Sequence, residues 1–225
     1  AGRLAFYLSV SHNSLPFRLS FRDCRSLFLY FHALYAFDFV GFHRHPGSLH
    51  HRRMDFLHAS DLAKAIAQTG GFGVAGACYP EGHVESPSLK ADVESLRYKA
   101  EAGVSHLITQ LFFDNVSYYR FLNMARKAGI SLPVQAGIMP IVSKRQIERT
   151  VALSSASLPP QFTKMISRYD HDEQALFDAG IEYAVTQIRD LITGGADGIH
   201  LYAMNNARVA RLVYEGIRDL LPERT

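Results

Sequence analysis

The sequence predicts an α/β protein built from consecutive parallel βα units, on three observations. Stretches with apolar positions at three-to-four spacing end on glycine. Each is followed at once by a short apolar run of strand length. Polar side chains gather where those runs stop. About four such strands and five main helices fit into some 165 residues of this 225-residue chain. That amounts to about half to two-thirds of a (β/α)8 TIM barrel, with a shorter doubly wound sheet as the alternative.

The elements follow in order from Asp55. Ser60 is the expected cap of a helix running through Gln68, stopped by Gly70 and Gly71. Phe72–Tyr79 reads as a buried strand. Pro87 and Ser88 open a helix whose Leu89, Val93, Leu96 and Ala100 share one face, and Gly103 ends it. His106–Gln110 is the next strand. A helix over Val116–Lys127 stops at Gly129, and Pro133–Ile138 is a strand. Ser143 to about Leu153 and Pro160–Ser167 are helical. A long helix from about Asp172 to Ile192 stops at Gly194 and Gly195. Gly198–Tyr202 is the last strand and Ala207–Leu220 the last helix.

Residues 1–53 have different statistics. They hold eight of the fifteen Phe and six of the eleven His, yet no Ile, Thr, Lys, Glu or Gln. Seven Arg against two Asp make this segment +5, while residues 54–225, with 17 basic and 19 acidic side chains, are −2. Leu27–Tyr30 and Phe37–Val40 read only weakly as strands. Three accounts stand: a divergent strand-rich lead-in, a basic aromatic arm for nucleic acid or a membrane surface, and a non-native lead-in such as an out-of-frame gene start. The abrupt change near Met54 favours the third and divides the chain into 1–53 and 54–225.

Composition narrows the class. Two cysteines, Cys24 and Cys78, do not make a disulfide framework and point to a reduced, cytoplasmic setting. The most apolar stretch, Leu27–Phe42, contains His32 and Asp38 and is too short to span a bilayer. No signal-peptide pattern is expected. No GxxxxGK[ST] occurs, which argues against a triphosphate site.

In α/β folds ligands sit beyond the carboxyl ends of strands, so Tyr79, His83 and Gln110 fall where chemistry is done. Tyr79 is a flat donor and acceptor suited to edging a planar ligand, or a plain rim tyrosine. His83, after Gly82, is a site residue or a solvated loop histidine. Glu81, His83 and Glu85 lack metal-ligand spacing, so no metal is expected. Asp92 and Lys99 stand seven apart on one helix face, where Lys99 reaches an anion lying along the helix or both belong to a solvated stripe. Gln110 and Gln146 are amides able to read a heterocycle's donor and acceptor edges. Cys78 has no His–carboxylate relay and is not expected to be a nucleophile.

From about Phe56 to Leu220 the chain resembles the bacterial-type methylenetetrahydrofolate reductases. The resemblance is carried in order and spacing by HASDLAKAI, GVAGACYPEGH, the D-x6-K helix face, GVSHLITQLFFD, PVQAGIMPI and GIHLYAMN. It implies a (β/α)8 barrel holding FAD, with Ala59, Tyr79, His83, Asp92 and Lys99 on the flavin and Gln110 and Gln146 on the folate. It further implies that NAD(P)H reduces the flavin, which then reduces 5,10-methylenetetrahydrofolate to 5-methyltetrahydrofolate. That is a step of one-carbon metabolism that feeds methionine biosynthesis. No nucleic-acid or membrane partner is implied, and a homo-oligomer is compatible with it.

The chain departs from the family pattern in three places. Asn206 stands where the family has an arginine. HRHPGS, residues 43–48, stands where an LRGD-like flavin-touching turn is expected. No glutamate precedes Glu81, so the proton donor of an SFEFFPP-like first strand is missing and no catalytic residue is named. The rival expectations are an inactive half-barrel with residual flavin binding and a nucleic-acid-binding protein that uses the basic front end.

Overall fold

A computed structural model describes residues 5–8, 56, 58–71, 73–153 and 156–221, with residues 5–8 and 151–153 described by their backbone alone. The weak strand readings at Leu27–Tyr30 and Phe37–Val40, and the HRHPGS stretch, lie outside these residues.

The chain runs β1 (Ala5–Leu8), α1 (Ala59–Thr69), β2 (Val74–Cys78), α2 (Leu89–Glu101), β3 (Val104–Thr109), α3 (Asn115–Lys127) and β4 (Val134–Ile138). It continues with α4 (Lys144–Leu153), α5 (Pro160–Arg168), α6 (Glu173–Thr193), β5 (Gly198–Leu201), α7 (Ala207–Ile217) and a 3-10 turn at Arg218–Leu220. Ends differ from expectation by a residue or two, and one difference has a clear cause. Helix α1 is capped by His58, not Ser60, because the Asp61 carboxylate reaches back to accept from the His58 N–H at 2.9 Å. Elsewhere the expected caps operate. Ser88 Oγ accepts from Ala91 N at 3.1 Å, and Asp172 Oδ1 accepts from Ala175 N at 2.9 Å.

The described strands form one parallel sheet in the order β1-β5-β4-β3-β2. From β2 to β5 each strand lies beside the previous one, always stepping the same way. Right-handed crossovers that never reverse place the connecting helices on one face, whereas a doubly wound sheet reverses at a switch point. The fold is therefore of the TIM-barrel class, and the doubly wound alternative falls. The four strands expected from sequence are all present. The fifth, Ala5–Leu8, comes from the atypical first segment and pairs with β5 in register Tyr7↔His200. Its alternation is too short to have been read in the sequence.

Period-two alternation divides each strand between two faces. Cys78, Leu107, Val134, Ala136, Ile138, Ile199 and Leu201 face the helices and join one core with Leu96, Phe121, Ile188 and Val213. Burying each Val, Leu, Ile or Phe side chain among them contributes about 1.5–3 kcal/mol. Ala75, Ala77, His106, Ile108, Gln135, Gly137 and His200 alternate onto the opposite face. A second, smaller cluster of Leu111, Phe113, Ile141 and Phe162 seals the end of the sheet where the strands stop.

Candidate functional site

The carboxyl end of β2 runs into a turn in which Gly82 N donates to Tyr79 O at 3.0 Å. Gly82 sits at φ 91°, a left-handed conformation that glycine adopts without steric cost. The turn brings the His83 ring edge-on to Tyr79, with centroids 4.7 Å apart. His83 Nδ1 accepts from Glu85 N at 3.2 Å, so the neutral imidazole carries its proton on Nε2. The His83 backbone N–H donates to Asp92 Oδ2 at 3.2 Å, tying the turn to the first turn of α2.

Two helical turns further on, Lys99 Nζ donates to the Ala77 carbonyl at 2.6 Å and lies 6.0 Å from the Tyr79 ring centroid. Both charged groups of this helix face are shifted from their ordinary values. Burial pushes the Asp92 carboxyl up, against the pull of the His83 N–H and of Lys99. Burial likewise pushes the Lys99 ammonium down, partly offset by Cys78 and Asp92. Neighbouring Cys78 is fully buried, and burial raises its thiol well above the usual range, so it is a packed thiol.

Thus Tyr79, His83, Asp92 and Lys99 form one cluster. Ala59 stands apart from them as the first residue of α1 and has no polar side-chain atom with which to join. Gln110 follows directly on β3 and is tied to the cluster's strand, its N–H donating to Cys78 O at 2.8 Å. Its Oε1 accepts from Leu111 N at 3.1 Å. Gln146 braces a loop: Oε1 accepts from Val142 N at 3.0 Å and Nε2 donates to Pro140 O at 2.9 Å. Asn206, at the arginine position of the family pattern, caps α7 by accepting from Val209 N at 3.1 Å.

Sequence reasoning missed two features. Glu81 accepts from Ser157 N at 2.7 Å and from Ser157 Oγ at 3.1 Å, joining the β2–α2 turn to the segment after α4. The partners are 76 residues apart, so spacing could not reveal them. The other is Tyr202, whose hydroxyl reaches the Thr109 carbonyl at 3.0 Å. Among the described residues no three His, Cys, Asp or Glu side chains converge as a metal site, and no helix is long and apolar enough to cross a membrane.

A sheet wound in one direction, with aromatic, amide and half-buried charged side chains collected past β2 and β3, defines a TIM-barrel-class protein with a candidate site at the carboxyl ends of its strands. The family model "Methylenetetrahydrofolate reductase" matches residues 44–218, and the chain belongs to that family.

Relatives include the 5,10-methylenetetrahydrofolate reductase of Pectobacterium carotovorum subsp. carotovorum, 30% identical over 154 residues, or 68% of this chain and 52% of that protein. The Escherichia coli (strain K12) enzyme is also 30% identical, over the same shares. The "Probable methylenetetrahydrofolate reductase (NADPH)" of Caenorhabditis elegans is 35% identical over 162 residues, 71% of this chain and 24% of that one. The chain thus spans about half the length of the bacterial relatives. In structure it is similar to an uncharacterized protein from Clostridium thermocellum that binds two copies of 5-methyl-5,6,7,8-tetrahydrofolic acid. The TM-score is 0.53 at 15% identity, over 73% of this chain and 59% of that one, a likeness of fold.

Proposed function

We propose that this chain holds FAD along the α2 face and folate beside Gln110, in NAD(P)H-dependent reduction of 5,10-methylenetetrahydrofolate to 5-methyltetrahydrofolate. The observation that carries this reading is the coupling of Asp92 and Lys99, both displaced by burial, beside the Tyr79–His83 ring pair. Such a donor set fits the group. Lys99 retains protons for a phosphate oxygen, Asp92 accepts from ribose or ribityl hydroxyls, and Tyr79 edges a planar ring. Bound there, the flavin supplies the hydride chemistry, and the protein supplies orientation and electrostatics. Gln110, on the neighbouring strand and linked to Cys78, offers its NH2 to a pterin edge. Gln146 would reach folate only after releasing Pro140 or Val142. Ala59 would contribute packing alone.

A second reading, an inactive half-barrel with at most residual flavin binding, is favoured by Asn206, which caps α7 where the family pattern has an arginine. Stopped-flow absorbance of the flavin separates the two. Gln110→Ala is expected to slow flavin reoxidation by methylenetetrahydrofolate at least about tenfold, roughly 1.4 kcal/mol, and to spare reduction by NAD(P)H. Equal slowing of both halves would mean that Gln110 positions the flavin. Binding of FAD with no reoxidation in the unaltered protein would establish the second reading. Failure to bind FAD at all would sink the first.

A further inference from the structure

Beyond Ile108↔Gln135, the last registered pair of β3 and β4, the main-chain ladder gives way to side chains. The alternation set by Leu107 N donating to Pro133 O at 2.8 Å would bring the Gly137 N–H to the Thr109 carbonyl. Instead the Gly137 N–H donates to the Thr109 hydroxyl at 2.8 Å. The Thr109 carbonyl accepts from the Tyr202 hydroxyl at 3.0 Å. Tyr202 follows β5, so its side chain must cross β4 to reach β3.

The crossing point is Gly137. A Cβ there would overlap the Thr109 carbonyl oxygen and stand 2.8 Å from Tyr202 Cε2. The tyrosine is held at its root by Tyr202 N donating to Ile138 O at 2.8 Å. Its ring also meets His200 edge-on at 4.7 Å. Three adjacent strands are thereby stitched at the end where the site lies.

We propose that Tyr202 is a positioning residue for Gln110. The Thr109–Gln110 peptide is gripped on both sides: its carbonyl by Tyr202 Oη, and its N–H by Cys78 O at 2.8 Å. Rotation of that peptide would swing the Gln110 side chain, whose Oε1 is already turned back to Leu111 N. The amide NH2 is then presented in one orientation before any ligand arrives, which lowers the cost of binding a pterin edge. This inference rests on the reading of Gln110 as the folate contact.

Tyr202→Phe keeps the ring across Gly137 and removes only the hydroxyl. Backbone amide exchange at Gln110 and Leu111 should quicken at least about tenfold, while α3 and α6 stay protected. Affinity for 5-methyltetrahydrofolate should fall about five- to tenfold, as for one lost hydrogen bond, and affinity for FAD should stay within about twofold. In a Gln110→Ala background the same substitution should cost folate affinity nothing further, since it acts through that amide. Unchanged exchange, equal losses of FAD and folate, or additive losses in the double variant would each overturn the proposal. If the unaltered protein binds no 5-methyltetrahydrofolate, the folate reading of Gln110 fails, and exchange still decides whether Tyr202 holds the peptide.

Discussion

At Lys99 the side chain gives up hydration to sit against the Ala77 carbonyl and near the Tyr79 ring, and burial lowers its pKa as a result. An anion bound there would restore what burial removed. Lys99→Ala should therefore weaken FAD binding by roughly 1–3 kcal/mol, as for a lost charge-assisted hydrogen bond. Lys90→Ala, on an exposed position of the same helix, should leave it unchanged in an equilibrium titration. Equal losses would assign the effect to general helix charge.

His200 gives a second prediction at this scale. Burial, and then His106, hold its imidazole down from the ordinary 6.5 to about 4. Between those values the unfolded chain binds a proton that the folded chain does not, so stability declines as pH falls through this window. The loss approaches about 3 kcal/mol at its lower end. Thermal midpoints from about pH 7 to about pH 4.5 should fall less steeply for His200→Gln than for the unaltered protein. Parallel curves would assign the decline to other groups.

At the scale of elements, charged side chains at the amino end of the sheet act as fasteners. Asp197 Oδ2 accepts from Arg126 at 2.8 Å and from Val134 N at 2.9 Å, binding the lead into β5 to α3 and to the start of β4. Arg126 also donates to the Ile130 and Leu132 carbonyls, both at 2.8 Å, closing the α3–β4 loop. Solvent screens the ion pair itself, so its Coulomb attraction is worth little. The Val134 N–H matters more, because it loses its acceptor. Asp197→Ala should lower unfolding free energy by about 1–3 kcal/mol in denaturant titrations, with an unchanged slope. An effect below about 0.5 kcal/mol would show that water replaces the carboxylate.

For the whole molecule, the outer edge of β2 and the outer edge of β1 lack strand partners among the described residues. Parallel strands are built for burial on both sides, and bare edges invite pairing with another chain. The purified protein should accordingly self-associate in light scattering; a monomer with a sharp cooperative transition would count against this. The first segment bears on the same point. Read from sequence as a non-native lead-in, residues 1–53 also contain the strand that covers β5. Their removal should lower the unfolding midpoint and increase association. An unchanged midpoint would restore the reading of a non-native lead-in.

The sequence alone determined the winding of this protein. Glycine stops, helix caps and short apolar runs are local signals, so β2 to β5 and every helix from α1 to α7 were legible to within a residue or two. The polar residues past β2 and β3 were legible for the same reason, since a strand's end fixes where its next side chains point. Only the tertiary structure decided contacts between residues far apart in the chain. Glu81 meeting Ser157, Tyr202 crossing Gly137 to Thr109, and Ala5–Leu8 joining β5 span dozens of residues and leave no periodic trace. The shifted pKa values of Asp92, Lys99 and His200 belong with them, because burial and neighbouring charges, which shift them, exist only once the chain has folded.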